Sequence, residues 1–318
     1  MHTPKINLIT GGAGFLGSNL IDRLLEKGEK VICIDNFFSG RRENISKWEG
    51  DSSFKFIEHD VIKPIDIEAD KIWHLACPGS PKIHKNNEIE VSRINFLGTY
   101  NMLEIARRNN AKFLMASTSE IYGKPEIHPQ KENYNGSVKS TGVRSCYTEG
   151  KRFAESLCFD FKRVFGCDIK LARIFNTYGP RMFINDGRVI SNFIVQSLLR
   201  QPLTIYGKGN QTRSFCYVDD LIDGLVSLMN SKFSGPVNLG NPEEISILRL
   251  ADLITSKINY SNIYLTKNPR EDDPSRRKPA INLAKEELGW EPKVSLNIGL
   301  DKTISYFKKE LKLTNQIS

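Results

Sequence analysis

The chain has 318 residues, 39% of them hydrophobic and 26% charged, with a formal net charge of +8. That length suits one large domain or two modest ones, and the composition is that of an ordinary globular protein. No run of 18 apolar residues offers a membrane span, and the basic residues are dispersed rather than blocked, which argues against nucleic-acid binding.

Ile6 to Thr10 is a short apolar run ending at glycines, and reads as the first strand. Phe15, Leu16, Leu20, Ile21, Leu24 and Leu25 then recur at helical spacing, and Gly28 is a natural stop. Strands follow at 31–35, 54–57 and 72–75. The spacing predicts one long amphipathic helix over 88–110, with Ile94, Leu97, Met102, Leu103 and Ile105 on its apolar side. A fifth strand at 112–116 leads into a polar loop reaching about residue 143, a helix from Tyr147 to Phe165, and a sixth strand at 169–173. Strand and helix alternate throughout, the signature of a parallel sheet covered on both faces. The expected fold is α/β, a Rossmann-type doubly wound parallel sheet with a smaller α/β substrate-binding lobe. The sheet domain is expected to take residues 1–178, with a return segment near 213–240, and the lobe to lie mainly in 179–318. Helices are expected near 189–200, 219–230, 247–257 and 298–309, and disorder from Leu313 to Ser318.

Cys33, Cys77, Cys146, Cys158, Cys167 and Cys216 show no C-x-x-C spacing, which argues against zinc and against a disulfide scaffold. The five histidines include no ligand pair, and no metal is expected. A strand beginning at residue 6 leaves no room for a signal peptide, so the expected compartment is the cytosol.

Gly11, Gly14 and Gly17 fit G-x-x-G-x-x-G between a strand and a helix, and Gly12, Gly14 and Gly17 also fit G-x-G-x-x-G. Glycines there let the backbone approach a pyrophosphate, and the helix N-terminus offers N–H groups to the anion. Asp35, about 20 residues past the glycines, ends the second strand. A carboxylate there accepts from ribose hydroxyls and repels a 2′-phosphate, which favours NAD over NADP. Arg41 and Arg42 would suit such a phosphate, or else open a solvated helix. Asp60 and Val61 are candidates for the adenine side, although a lone Asp is often only a turn residue. The expected cofactor wall adds Phe15, Leu16, Asn36, Phe37, Ser39, Gly40 and Leu75.

Tyr147 and Lys151 stand four apart and share a helix face. A nearby ammonium favours phenolate, so Tyr147 is the candidate base and Lys151 its activator. Thr118 directly follows the fifth strand and is placed to hydrogen-bond the reacting oxygen.

GGAGFLGSNL at 11–20, DNFFSGRREN at 35–44, STSEIYG at 117–123, CYTEGKRFAE at 146–155, NDGRVISNFI at 185–194 and DDPSRRKP at 272–279 resemble the extended short-chain dehydrogenase/reductase family. Within it the match is to the branch of UDP-glucuronate decarboxylases, and it spans nearly the whole chain. The resemblance implies a UDP-sugar substrate, UDP-glucuronate, oxidised at C4 by bound NAD, decarboxylated, and reduced again to UDP-xylose. It assigns Glu120 to orienting the sugar or a water. Arg277 either faces the developing negative charge or binds the diphosphate. Arg188, Arg213 and Arg277 are candidates for the diphosphate, Asn176 for the same group, Arg93 for the sugar pocket, and Tyr206 for the uracil or for plain packing. It also implies a homodimer paired through the 88–110 helix and the helix carrying Tyr147.

Sister 4,6-dehydratases place an Asp-Glu pair where this chain has Ser119-Glu120, and 4-epimerases usually lack the Glu. Lys82 and His84 replace the branch's Pro and Tyr, Arg93 replaces Lys, and the 134–144 loop lacks its Trp and Pro residues. These departures fall on the sugar pocket. A 4-epimerase, a 4,6-dehydratase, early release of a UDP-4-keto-pentose and a non-catalytic NAD-binding scaffold therefore remain as alternatives.

Overall fold

The computed structural model describes residues 5–261, 263–268, 274–314 and 316. Its strands are β1 (Ile6–Thr10), β2 (Lys30–Asp35), β3 (Phe54–Glu58), β4 (Lys71–His74), β5 (Lys112–Thr118), β6 (Ile169–Ile174), β7 (Thr177–Tyr178), β8 (Leu203–Tyr206), β9 (Thr212–Ser214), β10 (Cys216–Tyr217), β11 (Val237–Leu239), β12 (Glu244–Ser246), β13 (Tyr264–Lys267) and β14 (Arg276–Arg277). Its helices are α1 (Phe15–Leu25), α2 (Pro81–His84), α3 (Glu88–Arg93), α4 (Thr99–Asn109), α5 (Ser145–Phe165), α6 (Val189–Leu198), α7 (Val218–Asn230), α8 (Ile247–Ile258), α9 (Asn282–Leu288) and α10 (Leu296–Leu313).

Seven parallel strands form the central sheet in the order β11-β6-β5-β4-β1-β2-β3. This is the expected doubly wound sheet. Its middle strands are apolar because helices cover both faces: all of β5 beyond Lys112 is buried. The chain runs outward from β1 through β2 to β3, then returns to β4 on the other side of β1. The strand order reverses there, which opens a crevice at the carboxyl ends of β1 and β4.

α5 fixes the active side of this sheet. Tyr147, Lys151, Ala154, Cys158 and Phe161 are buried at spacings of three and four, so one stripe of the helix faces the strands. Gly166 ends the helix in the left-handed conformation, at φ 70°.

The long helix expected over 88–110 is interrupted. A π-helical turn at Ile94–Gly98 separates α3 from α4. Asn95 donates from Nδ2 to the Val91 carbonyl (3.0 Å), and its side chain packs where a Cβ on Gly150 of α5 would fall, 2.8 Å from Nδ2. Sequence periodicity carries no sign of one extra residue in a turn. Two short helices, α2 and α9, were also not anticipated.

Beyond the sheet, β12-β9-β14 form a three-stranded sheet and β13-β8 a two-stranded one, with α6, α8 and α10 packed nearby. Ser246 starts α8 by accepting from the Arg249 N–H. Of the residues from Leu313 onward, for which disorder is expected, 315, 317 and 318 lie outside the described ones; Leu313 ends α10, and the N–H groups of Thr314 and Gln316 donate to the Glu310 (3.1 Å) and Leu311 (2.9 Å) carbonyls.

Candidate active site

The fingerprint glycines make the floor of the crevice. Gly11 adopts φ +70°, and a Cβ there would come within 2.9 Å of the Ala76 backbone on the neighbouring strand's exit. A Cβ on Gly17 would overlap the Gly11 carbonyl. No side chain caps α1, so the N–H groups of Phe15, Leu16 and Gly17 in its first turn remain for an anion, and all three residues line the cleft; the Gly14 N–H already donates to the Gly11 carbonyl (3.1 Å).

Asp35 closes β2 against this loop. Its Oδ2 accepts from the Ala13 N–H (3.0 Å) and its Oδ1 from the Phe37 N–H (2.8 Å). Burial pushes its carboxyl above the ordinary carboxylate range, and the backbone donors at Phe37, Ala13 and Asn36 pull it back. Asn36, Ser39, Asp60, Val61 and Leu75 line the cleft as expected, with Asn36 donating to Asp60 (3.0 Å).

Two residues of the expected cofactor wall, Phe37 and Gly40, lie outside the cleft lining. Phe37, at φ 55°, turns away to pack on Phe56 with ring centroids 5.2 Å apart, and Phe38 lines the cleft instead. Gly40 lies outside the lining because it packs on Asp35; a Cβ there would meet both carboxylate oxygens at 2.8 Å. Arg41 is not a solvated helix start either. It lines the cleft, donates to Glu310 (2.9 Å) and to the Tyr306 hydroxyl (2.9 Å), and its backbone N–H holds the Ala13 carbonyl (3.0 Å). Arg42 instead pairs with Glu49 and lies over the rings of Phe37 and Phe56.

At the other end, β5 and α5 bring the candidate catalytic residues together. Tyr147, Lys151, Thr118 and Glu120 all line the cleft. Lys151 Nζ donates to the Ala116 carbonyl (3.0 Å), which fixes the ammonium under the carboxyl end of β5. Thr118 accepts from the Glu120 N–H (3.2 Å) and shares a hydrogen bond with Tyr147. The expected acidification of the phenol is reversed. Burial pushes Tyr147 well above its ordinary value, and Cys77 and Glu120 add to it, while Thr118 and Arg144 pull the other way. The cause is the loss of water around a phenolate in a closed wall. His84, from the loop that departs from the branch pattern, stacks on the Tyr147 ring at 4.5 Å.

Glu120 is held by two guanidinium groups, Arg144 (2.5 Å) and Arg277 (3.7 Å). Burial raises its carboxyl, but Arg144 and then Arg277 outweigh burial and hold it below the ordinary range, so it is ionised at neutral pH. Arg144 was missed in the sequence. Its position directly before the α5 start is the only signal, and that does not say which carboxylate it meets.

The residues expected to grip substrate are less gathered. Asn176 and Arg188 line the cleft; Arg188 is held by both oxygens of Asp186 (2.5 and 2.7 Å) and lies over the Phe15 ring. Arg213 and Arg277 are buried side by side on β9 and β14, outside the lining, and Tyr206 is half-buried at the end of β8. Arg93 is not brought to the site. It lies on the exposed face of α3, paired with Glu90 (3.1 Å), because its helical phase points it to solvent. Among the described residues no group of three His, Cys, Asp or Glu side chains could hold a metal ion.

The cleft suits a dinucleotide: glycines without room for a Cβ, an uncapped helix start, and a carboxylate at the end of β2. Residues 8–303 match the family model described as GDP-mannose 4,6 dehydratase. UDP-glucuronic acid decarboxylase 1 of Xenopus tropicalis is 53% identical over 305 residues, covering 96% of this chain and 72% of that protein. UDP-glucuronic acid decarboxylase 3 of Arabidopsis thaliana is 54% identical over 295 residues, 92% of this chain and 86% of that protein. The crystal structure of the UDP-glucuronic acid 4-epimerase of Bacillus cereus, in complex with UDP-glucuronic acid and NAD, superposes with a TM-score of 0.87 at 29% identity, covering 96% of this chain and 99% of that one. With its fold, its glycine loop and its Tyr–Lys helix read alongside these matches, the chain belongs to the extended short-chain dehydrogenase/reductase family, in the branch of the UDP-glucuronic acid decarboxylases.

Proposed function

We propose that the protein is an NAD-dependent UDP-glucuronate decarboxylase, forming UDP-xylose through a UDP-4-keto intermediate. The observation that carries this reading is the meeting of two groups at one end of the cleft. One is Tyr147 with Thr118 and Lys151; the other is Glu120 between Arg144 and Arg277. The decarboxylases of Xenopus and Arabidopsis, alike over 96% and 92% of this chain, support it.

NAD, when bound, supplies a reversible hydride acceptor at C4 of the sugar and a positive charge beside the phenol. Tyr147 takes the C4 hydroxyl proton, with Thr118 hydrogen-bonded to the same oxygen and the Lys151 ammonium favouring the phenolate. The C4 ketone is then β to the carboxylate. The bond from C5 to the carboxyl carbon breaks, its electrons pass toward the C4 oxygen, and CO₂ leaves behind an enolate. Arg277 faces that negative charge. Ionised Glu120 orients the sugar, or the water that returns a proton to C5. Tyr147 gives its proton back to the C4 oxygen as that carbon is reduced. Arg188, Arg213 and Asn176 grip the diphosphate, and Tyr206 meets the uracil. Phe96 and Tyr100, with Phe153 of α5, leave an exposed aromatic surface on the helices expected to pair two copies, which supports a homodimer.

Incubation of purified protein with UDP-glucuronate and NAD, followed by mass analysis of the nucleotide sugar, tests the reading. Loss of CO₂ with no net reduction of cofactor is expected. An unchanged mass with a new epimer would mean a 4-epimerase. Accumulation of the keto-pentose would mean an enzyme that stops before the second hydride transfer, and loss of water in a parallel incubation with a UDP-hexose would mean a dehydratase.

A further inference from the structure

Arg277 sits on a strand of only two residues, β14, whose described ladder partner is β9. So short a strand is a weak anchor for a charge that must meet a reacting carbon. A second anchor lies in the loop after β5. Gln130, fully buried, donates its backbone N–H to the Lys278 carbonyl (2.9 Å). Its side-chain Oε1 accepts the Lys278 N–H (2.8 Å), and its carbonyl accepts the Ala280 N–H (2.8 Å). One residue thus makes three hydrogen bonds to the segment directly after Arg277. Its remaining amide group donates to the Ile127 carbonyl (2.8 Å).

The same residue reaches the other side of the site. Asn238 of β11 donates to the Gln130 carbonyl (3.0 Å) and accepts from the Tyr122 hydroxyl (2.7 Å). Tyr122 ends the short helical turn that carries Glu120. Gln130 therefore joins the two pieces of chain that face each other across the Arg277–Glu120 contact. That contact is 3.7 Å, longer than a hydrogen bond, so neither charge is fixed by a hydrogen bond to the other, and the backbone of each segment helps to set the gap between them.

We propose that Gln130 is a positioning residue for the carbon–carbon cleavage, setting where the Arg277 charge stands relative to Glu120 and the sugar. This rests on the decarboxylase reading above. A residue that sets Arg277 against Glu120 affects the step in which negative charge develops, and leaves the C4 oxidation at Tyr147 untouched.

The test uses NAD-loaded protein with UDP-glucuronate and follows two signals, appearance of reduced nicotinamide and release of CO₂. Gln130→Met keeps the volume and removes the amide. It is expected to slow CO₂ release about ten- to a hundredfold, with reduced cofactor accumulating and with KM and retained NAD unchanged. Gln130→Glu, which keeps an acceptor for the Lys278 N–H, restores part of the rate. In the Gln130→Met/Arg277→Lys double variant, CO₂ release falls no further than in Arg277→Lys alone. Wild-type CO₂ release in Gln130→Met, an equal loss in both signals, or multiplicative losses in the double variant would overturn the proposal. If Gln130→Met loses its NAD or melts early, Gln130→Glu carries the same comparison of the two signals. Wild-type protein that never releases CO₂ sinks the decarboxylase reading itself, and the inference with it; that failure is seen before any variant is made.

Discussion

Tyr147 is buried at the carboxyl edge of the sheet, where water is scarce and the phenol holds its proton tightly. In the proposed mechanism the positive charge that favours the phenolate is that of Lys151, whose Nζ donates to the Ala116 carbonyl. Tyr147→Phe is expected to lower turnover about a hundred- to ten-thousandfold while retained NAD, read in the purified protein, is unchanged; full activity would end its assignment as base. At this scale the sequence was informative wherever a residue's place in the cleft follows from helical phase or strand end. Tyr147, Lys151, Thr118 and Asp35 are such residues. It was silent wherever a side chain could turn either way. Phe37 and Phe38 are adjacent and chemically alike, and only the left-handed φ of 55° at Phe37 decides which one faces the cleft. Arg144 and Arg93 are both arginines near a helix end, yet a tertiary contact takes Arg144 to Glu120 while helical phase leaves Arg93 facing solvent beside Glu90.

Among the elements, the sheet strands were readable because burial on both faces leaves continuous apolar runs. The small sheet β12-β9-β14 was not, since strands of two or three residues carry no period. It is held by charge as much as by ladder bonds. Glu244 of β12 accepts from Thr212 (2.7 Å) on β9 and from Arg276 (2.6 Å) on β14. Burial alone would raise its carboxyl, but these donors outweigh burial and lower it from 4.5 to about 2. The folded value lies below the unfolded one. The pair therefore stabilises the fold above the ordinary carboxylate range and loses that contribution as pH falls from 4.5 toward about 2. Glu244→Gln is expected to lower the thermal midpoint by about 2–4 °C at neutral pH, with the gap narrowing through that acid window. Melting curves at a series of pH values check this, and a gap that stays constant would mean Glu244 acts by packing.

Across the whole molecule, the cleft and the arginines behind Glu120 are built by different parts of the chain. The sheet and α1 form the glycine-loop end of the cleft, while Arg277 and Arg213 come from the small sheet and lie outside the lining. The alternation of strand and helix announced the first part, but no local pattern told which late segment would lie against Glu120. On the outer face, Phe96 and Phe153 meet edge to face at 5.3 Å and are about half exposed, at 48% and 49%. Phe153→Glu is expected to convert a dimer to a monomer in light scattering, with NAD retained; a wild-type monomer would remove the pairing surface from the account.

The bond from Arg41 to Glu310 and Tyr306 ties the glycine loop to a helix some 269 residues further on. During synthesis the first half of the sheet emerges early, yet one wall of its nucleotide groove stays unbraced until residues 306 and 310 have left the ribosome. Under the proposed NAD-dependent reading, a nascent chain has no finished wall for the dinucleotide before that helix forms, and loading is expected only after residue 310 has been made.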